Sequence, residues 1–258
     1  MIERAYIWGE QSGIAVWCED EAGPYSTVPY AAPSWQVQAQ PAHQSHEYFP
    51  NGIAKLLTLF HPSSGQVRVK GVESCTNVVL HDWLQQQLQA ILEELPPQVQ
   101  VLSPEVNRAM WETWRQALTI RFTLPSELPP LRMLLVCDNL AGHKTPAFVI
   151  WLCQHGILPI YTPLGGSWLN MAESIQKILK HRALDGQHPD TPQQIMEWLE
   201  TVAKSWNQHP TPFIWAGQRA ARRQRARLRS QQHRLAGSGA CSTPLVRKPK
   251  LLLQCSPK

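Results

Sequence analysis

Three acidic residues of the 258-residue chain occupy positions from which carboxylates could act together. Asp20 and Asp138 each follow an apolar stretch with the character of a strand, and thirty-four residues separate Asp138 from Glu173. A carboxylate at the carboxyl end of a strand points into the crevice where open α/β sheets hold their ligands. Three such groups on adjacent elements could bind two Mg²⁺ ions, which prefer oxygen ligands and promote displacement at a phosphate.

Position alone leaves simpler interpretations open for these residues. An Asp after a strand often serves as a turn or helix cap. Glu173 could pair with Lys177 one helical turn later, a contact worth about 0.2–0.5 kcal/mol. Glu19 and Glu21 flank Asp20, and alternate side chains of a strand face opposite ways, so the three cannot all face one site. Which of them would be the first metal ligand stays open at this point.

The elements that must position these carboxylates follow a mixed α/β order. Short apolar runs predict strands, and apolar residues at helical spacing predict helices. In chain order we expect a strand at 13–18, a hairpin of strands at 53–61 and 66–72, helices at 78–95 and 104–118, a strand at 133–137, a helix at 146–155 and a strand at 157–161. Two further helices follow: one turns Trp168, Met171, Ile175, Ile178 and Leu179 toward the core, and the last opens at Thr191-Pro192. A short strand is also predicted near 35–39.

Charge divides the chain into an acidic body and a basic tail. Residues 217–258 contain eleven Lys and Arg and no Asp or Glu, so residues 1–216 hold the other 13 basic and all 19 acidic side chains. A single-signed arginine block attracts polyanions, chiefly nucleic acid; the alternative is a solvated tail without a partner. We predict a catalytic domain at 1–216 and a flexible basic tail at 217–258 that binds DNA through Arg219, Arg222, Arg223, Arg225, Arg227 and Arg229.

Composition excludes several classes of protein. With 43% hydrophobic and 17% charged residues the chain cannot be wholly disordered. Its apolar runs are too short to span a bilayer, and no basic stretch leads into an apolar segment at the amino terminus, as a signal peptide would require. The six cysteines are scattered without a C-x-x-C pair, which favours reduced thiols. We expect a cytoplasmic protein without a membrane partner or small-molecule cofactor.

Four motifs around the carboxylates resemble those of a known family. In order, they are Asp138-Asn139 with His143, Tyr161-Thr162-Pro163, Trp168-Leu169-Asn170 with Glu173, and Trp206-Asn207 with Pro212-Phe213-Ile214-Trp215. This arrangement resembles the catalytic domain of mariner-like bacterial insertion-sequence transposases, which are DDE superfamily endonucleases of the retroviral-integrase class. Trp206 stands where that family usually has Tyr. The resemblance covers about 130–215 and, more loosely, 13–75.

The resemblance implies a ribonuclease-H-like mixed sheet flanked by helices, two Mg²⁺ or Mn²⁺ ions, and cleavage and transfer of DNA strands. Asp138 matches the family's second metal-binding Asp and Glu173 its final Glu, while Asp20, followed by Glu21, best fits the first Asp. Lys177 and Lys180 continue the helical face beyond Glu173 and are predicted to contact DNA, an ordinary solvated face being the alternative. The expected partners are double-stranded transposon ends and target DNA, bound by a homodimer.

Relatives usually carry helix-turn-helix DNA-binding modules before the first catalytic strand, which here begins about a dozen residues from Met1. We therefore expect that another reading frame or an earlier start supplies sequence recognition, or that the chain is a remnant. Two other functions stay open: a non-catalytic DNA-binding remnant of a transposase, and a host nuclease with the same fold.

The basic tail generates the first testable prediction. Deleting residues 217–258 should weaken binding to DNA of any sequence, because each lost phosphate contact removes about 0.9 from the slope of log K against log salt. The measurement is a fluorescence-anisotropy titration at several salt concentrations. Changing the six named arginines to Gln should reproduce the deletion, whereas changing them to Lys should preserve the slope. An unchanged slope after deletion would show that the arginines do not contact DNA.

Overall fold

The computed structural model describes residues 1–32, 38, 43, 47–97, 102–116, 118 and 122–215. These residues form five strands and six helices. The strands are β1 (Ala15–Ser26), β2 (Ile53–His61), β3 (Gln66–Val72), β4 (Met133–Cys137) and β5 (Ile157–Tyr161). The helices are α1 (Ile2–Trp8), α2 (Asn77–Glu94), α3 (Pro104–Arg115), α4 (Pro146–Gln154), α5 (Ala172–Leu184) and α6 (Pro192–Trp206). Short 3₁₀ turns occupy Glu10–Ser12, Gly142–Lys144 and Ser167–Leu169.

The strands form one mixed sheet in the order β3-β2-β1-β4-β5. The hairpin partners β2 and β3 are antiparallel, as are β1 and β2, while β1–β4 and β4–β5 are parallel. Every residue of β4 and β5 is buried, as continuous apolar runs predict for parallel strands covered on both faces. The prediction of an α/β fold with a mixed sheet flanked by helices is confirmed.

Helices cover both faces of the sheet, and the faces alternate along each strand. On one face, Trp17, Leu57 and Leu59 pack with α2 residues such as Leu84 and with Phe148 of α4. The opposite face packs against α5 and α6. Because neighbouring residues of one strand face opposite layers, two adjacent residues of β1 contact different helices.

Strand β1 is longer than predicted, and this changes where Asp20 lies. The sequence predicts a strand at 13–18 that stops before the carboxylates, but β1 continues through Glu19, Asp20 and Glu21 to Ser26. The reason is its antiparallel partner: β2 pairs with β1 as far as Ser26, past a register irregularity between Ala22 and Tyr25. Pairing with β4 is recorded only up to Cys18, opposite Val136. Asp20 therefore lies within a strand, just beyond its parallel pairing.

Most predicted helices and strands are found, with three differences besides the length of β1. Trp168, expected on a helix facing the core, lies in a 3₁₀ turn and is 57% exposed, because α5 begins only at Ala172. Helix α1 was not predicted. The predicted strand near 35–39 lies outside the described residues, except for residue 38, which is in a turn.

Contacts divide the chain into Met1–Phe213 and Ile214–Lys258, and only residues 214 and 215 of the second unit are described. The boundary predicted after residue 216 stays a prediction. Of the helices in the described ranges, none combines the length and the apolar character that crossing a membrane requires.

Side chains from α6 and the residue after it satisfy the outer edge of β3. The Glu200 carboxylate accepts a hydrogen bond from the Gly71 amide at 2.8 Å. The Asn207 side chain bonds both backbone groups of Val67, accepting from its N–H at 3.0 Å and donating to its carbonyl at 2.6 Å. The Trp206 indole donates to the Gly65 carbonyl. An edge strand with unpaired backbone groups invites association with other chains, so the Trp206-Asn207 motif closes this edge.

Asn207→Ala should lower the free energy of unfolding by about 1–3 kcal/mol, since each intramolecular hydrogen bond contributes about 0.5–1.5 kcal/mol and two are lost. Urea unfolding followed by circular dichroism measures the change. The neighbouring exposed residue is the control: Gln208→Ala should change the stability by no more than about 0.5 kcal/mol. Equal stabilities for the two variants would contradict a role of Asn207 at the sheet edge.

Candidate active site

The register of β1 separates Asp20 from its two acidic neighbours. Asp20 pairs with Thr58, and the Thr58 hydroxyl accepts a hydrogen bond from Gln176 of α5. Glu19 instead pairs with Leu59, which packs in the core with α2. Residues directly opposite each other in a sheet share a face. Asp20 therefore lies on the α5 face, and Glu19 and Glu21 lie on the α2 face.

Asp20 and Glu173 line one open groove of about 500 Å³ between β1 and α5. Tyr25 from β1 and Gln176, Lys177 and Lys180 from α5 also line it. The groove joins two of the three predicted metal ligands, from strand β1 and helix α5, that are far apart in sequence. The groove is open to solvent.

Asp138 follows β4 and is held by two hydrogen bonds to a single oxygen. Its Oδ1 accepts from the Leu140 amide and from Nδ1 of His143, each at 2.8 Å. The Oδ2 atom accepts no hydrogen bond from the described residues. The carboxylate of Asp138 therefore has one oxygen committed to the protein and one that can take a ligand.

His143 also contacts Glu19 and thereby joins the two strands below the site. Its Nε2 lies 2.8 Å from Oε2 of Glu19, an ion-pair distance, although the two atoms are not aligned as in a hydrogen bond. The side chain of His143 is 2% exposed and that of Glu19 is fully buried. Each nitrogen of the imidazole ring lies near a carboxylate oxygen, with Asp138 on one side and Glu19 on the other. Burial raises the pKa of Glu19, and the contact with His143 opposes that rise.

The electrostatics of the site follow from this arrangement. Burial, together with the negative charges of Glu19, Asp138 and Glu173, raises the pKa of Asp20 to about 8. Burial alone would raise the pKa of Asp138 as well, but the hydrogen bonds from His143 and Leu140 lower it. Burial alone would lower the pKa of His143, but Glu19 and Asp138 raise it to about 10. Asp138 is thus ionised beside a protonated imidazole, while Asp20 has no such partner.

Two polar side chains, the half-buried Tyr6 and the buried Asn170, fix the segment that leads into Glu173. The Tyr6 hydroxyl, from α1, donates to the Leu169 carbonyl at 3.0 Å and accepts from the Met171 amide at 3.2 Å. Asn170 donates to the backbone carbonyl of Glu19 at 2.6 Å and accepts from the Ala172 amide. Its amide is thus committed to the backbone, and the Trp168-Leu169-Asn170 motif anchors the start of α5 to β1.

The motif at the end of β5 supports the loop that carries His143. The Tyr161 hydroxyl donates to the His143 carbonyl at 2.8 Å, and the Asn139 side chain donates to the Thr162 carbonyl. On the other side, the ring of His81 from α2 contacts the Gly142 carbonyl at 2.9 Å. The loop after β4 is therefore bound to β5 and to α2, which fixes the position from which His143 reaches Asp138.

The two predicted DNA-binding lysines on α5 lie on the groove, with different surroundings. The side chain of Lys177 is 79% exposed and lies 3.5 Å from Glu173. Lys180 is bound at 2.7 Å to Asp185, and its ammonium lies over the ring of Tyr30. The predicted arginine contacts, from Arg219 to Arg229, lie outside the described residues.

Asp138 and Glu173 both act on the pKa of Asp20, but the three carboxylates do not enclose a ready-made cavity for an ion. In the described part of the chain no three His, Cys, Asp or Glu side chains are grouped closely enough to hold a metal. The contact of Glu19 with His143 and the bonds of Tyr6 were missed by sequence analysis. Two features of the sequence point to the contact between Glu19 and His143: Glu19 directly follows an apolar run, and His143 is part of the motif that begins at Asp138.

Comparisons with known proteins bear on these features. A family model described as DDE superfamily endonuclease matches residues 15–195, a range that contains Asp20, Asp138 and Glu173. No curated protein matches the chain.

Among solved structures, a Mos1 transposase paired-end complex with the left transposon end is 18% identical, over 84% of this chain and 57% of that one, with a TM-score of 0.45. A mariner Mos1 paired-end complex with Mg is 14% identical over the same shares, with a TM-score of 0.47. The catalytic core domain of BIV integrase is 12% identical, over 78% of this chain and 88% of that one, with a TM-score of 0.41.

The chain thus spans little more than half the length of the Mos1 transposases it resembles. The family model covers well over half of the 258 residues, and the mixed sheet has the ribonuclease-H-like arrangement that the motifs imply. By this match the chain belongs to the DDE superfamily endonucleases.

Proposed function

We propose that this chain is the catalytic domain of a transposase, which cleaves DNA strands and joins them to a target in a reaction that requires divalent metal ions. The observation that carries the proposal is the groove between β1 and α5, which Asp20 and Glu173 line. Asp138 follows the neighbouring strand β4 and lies close enough to raise the pKa of Asp20. The three proposed catalytic residues come from two neighbouring strands and a helix, and the groove gives a DNA strand access to them.

The chemistry of the donor groups fits Mg²⁺ or Mn²⁺ ions, and the three carboxylates would draw closer together on binding them. The donors are carboxylate oxygens, which these hard cations prefer. Burial and the negative charges of Glu19, Asp138 and Glu173 together raise the pKa of Asp20, and a bound cation would oppose that rise. Asp20, Asp138 and Glu173 would hold the ions, whose chemistry is to stabilise the charge that develops on the attacking and leaving oxygens of a phosphate.

The chain's own residues orient this site and supply no covalent nucleophile. The thiols that precede Asp20 and Asp138 in the two strands are buried: burial raises the pKa of Cys18 to about 12 and holds that of Cys137 well above its ordinary value. A buried thiol of this kind is not ionised near neutral pH and does not attack phosphorus. We therefore propose that the protein contributes by holding the carboxylates in place for the scissile phosphate. Hydrogen bonds hold Asp138, and the anchored start of α5 holds Glu173.

DNA binding is proposed at two places. Lys177, exposed beside Glu173, is suited to contact the phosphate next to the cleaved one, with Lys180 further along α5. The arginines of the tail would add contacts that do not depend on sequence. By the family resemblance we further propose that two copies of the chain act together on the two transposon ends, and that they do so in the cytoplasm.

The carboxylates supply the direct test of this function. Asp138→Asn, Asp20→Asn and Glu173→Gln should each lower Mg²⁺-dependent nicking of supercoiled plasmid by at least about a hundredfold, the loss typical when a transition-state charge loses its stabilisation. The amides keep the shape of the side chains but lose the charge that binds the ions. Asp82→Asn, which changes an exposed carboxylate of α2, should nick as well as wild type.

Nicking by Asp138→Asn at the wild-type rate would show that the catalytic assignment is wrong. Absence of nicking in the wild type, with DNA binding intact, would instead favour the non-catalytic DNA-binding remnant. Joining of labelled transposon ends to a target separates a transposase from a nuclease of the same fold, because only the transposase transfers the freed 3′ end.

The raised pKa of Asp20 predicts a pH-dependent loss of stability. The folded state holds this proton up to about pH 8, while the unfolded chain releases it near its ordinary pKa of 3.8. Stability is therefore fully present below about pH 4 and is lost as the pH rises toward 8. Between these values, wild type should lose up to about 1.4 kcal/mol per pH unit relative to Asp20→Asn. Urea unfolding of both proteins at pH 5, 6, 7 and 8 without metal measures the difference.

Added Mg²⁺ should stabilise wild type more than Asp20→Asn, because only an intact site binds the ions in the folded state. If the difference in free energy of unfolding between wild type and Asp20→Asn does not change with pH, the raised pKa assigned to Asp20 is wrong.

A further inference from the structure

We propose that Glu19 and His143 are positioning residues for metal binding, and that they set which oxygen of Asp138 is left to bind an ion. The inference rests on the proposed function, since it concerns how a metal ligand is oriented. It assigns to Glu19, adjacent to Asp20 in sequence, a role different from that of Asp20.

The two oxygens of the Asp138 carboxylate have different surroundings. Oδ1 of Asp138 is bound by the Leu140 amide and by Nδ1 of His143. This leaves Oδ2 as the oxygen that can bind an ion, and it stops the carboxylate from rotating. A carboxylate that offers one fixed oxygen binds an ion better than one that rotates freely, because less motion is lost on binding.

His143 can hold Asp138 only while its own ring is fixed. A ring that contacts one carboxylate can turn about its bond to the backbone. The second contact, from Nε2 to Oε2 of Glu19, fixes the ring from the other side. Glu19 is itself fully buried among core residues, and its backbone carbonyl is bound by Asn170. The chain of contacts therefore runs from a rigid central strand through the imidazole to the metal ligand.

The same arrangement keeps Glu19 away from the proposed metal site. It lies on the α2 face of the sheet, opposite Leu59, whereas Asp20 and Glu173 line the groove on the α5 face. In metal sites generally, a partner that bonds a ligand from behind orients it, and losing that partner lowers metal affinity about 10–100-fold.

The test is Mn²⁺ binding to the full chain, measured by electron paramagnetic resonance without DNA. Glu19→Leu and His143→Leu remove the contacts with side chains of similar bulk, and each should weaken Mn²⁺ binding about 10–100-fold. Glu19→Gln keeps an oxygen for the ring, and His143→Asn keeps a donor at the position of Nδ1. These two variants should bind Mn²⁺ more tightly than the corresponding Leu variants.

A second glutamate–histidine contact in the same chain provides the matched control. Glu10 Oε1 lies 2.8 Å from Nε2 of His61 and accepts from the Val16 amide near the start of β1. Glu10→Leu breaks a contact of equal length away from the groove, so it should lower stability and leave Mn²⁺ affinity unchanged. Thermal unfolding of every variant separates this effect on stability from an effect on the metal site.

Three outcomes would overturn the inference: Mn²⁺ affinity of the Leu variants equal to wild type, an equal loss in the Leu and the conservative variants, or an equal loss in Glu10→Leu. Should Glu19→Leu fail to fold, His143→Leu and His143→Asn make the same comparison. If wild type binds no Mn²⁺, or Asp138→Asn binds it as tightly as wild type, the proposed function itself fails. If these two behave as expected while the Leu variants match wild type, only the positioning role fails.

Discussion

Carboxylates repel one another, and in this protein three of them lie near one groove with a fourth buried behind it. Water weakens such repulsion, but Asp20 is largely withdrawn from water, which is why its pKa rises to about 8. A protein that must keep these groups together has to hold each one by other means. The surroundings of the site follow from that need: one imidazole between two carboxylates, and backbone hydrogen bonds at the start of each supporting segment.

The period of the β-strand assigns the acidic residues of β1 to different tasks. Glu19 and Asp20 are adjacent, yet one lies on the α2 face and contacts His143 while the other lines the groove beside α5. A shift of one residue in the register of β1 would exchange the two faces. The long antiparallel pairing with β2 opposes such a shift, since it continues on both sides of Asp20. The pairing of β1 with β2 thus keeps Asp20, the proposed metal ligand, on the face that packs against α5.

Sequence patterns predicted much of the architecture but not the contacts beneath the site. Periodicity located β4, β5 and the helices α4 and α6, because buried strands and amphipathic helices leave a local pattern. The end of β1 was misplaced because the pairing partner of Asp20 is Thr58, in a strand that begins about thirty residues later. Trp168 was placed in the core because its spacing suits a helix, but the helix begins after it. The contact between Glu19 and His143 joins residues over a hundred positions apart, so no local pattern could reveal it.

The motifs that mark the family consist mainly of residues that hold the scaffold rather than residues proposed to act on DNA. Asn170 binds the backbone of β1, Tyr161 binds the loop that carries His143, and Asn207 closes the edge of β3. Each of these side chains bonds a particular backbone group, so another residue type could not easily replace it. A protein that had lost catalysis but kept its fold would therefore still need them. The motifs therefore mark the scaffold of the site, whereas the proposed activity would depend on the carboxylates of Asp20, Asp138 and Glu173. A folded remnant and an active transposase would differ at these carboxylates and at the contacts that orient them, which is where measurement separates the two.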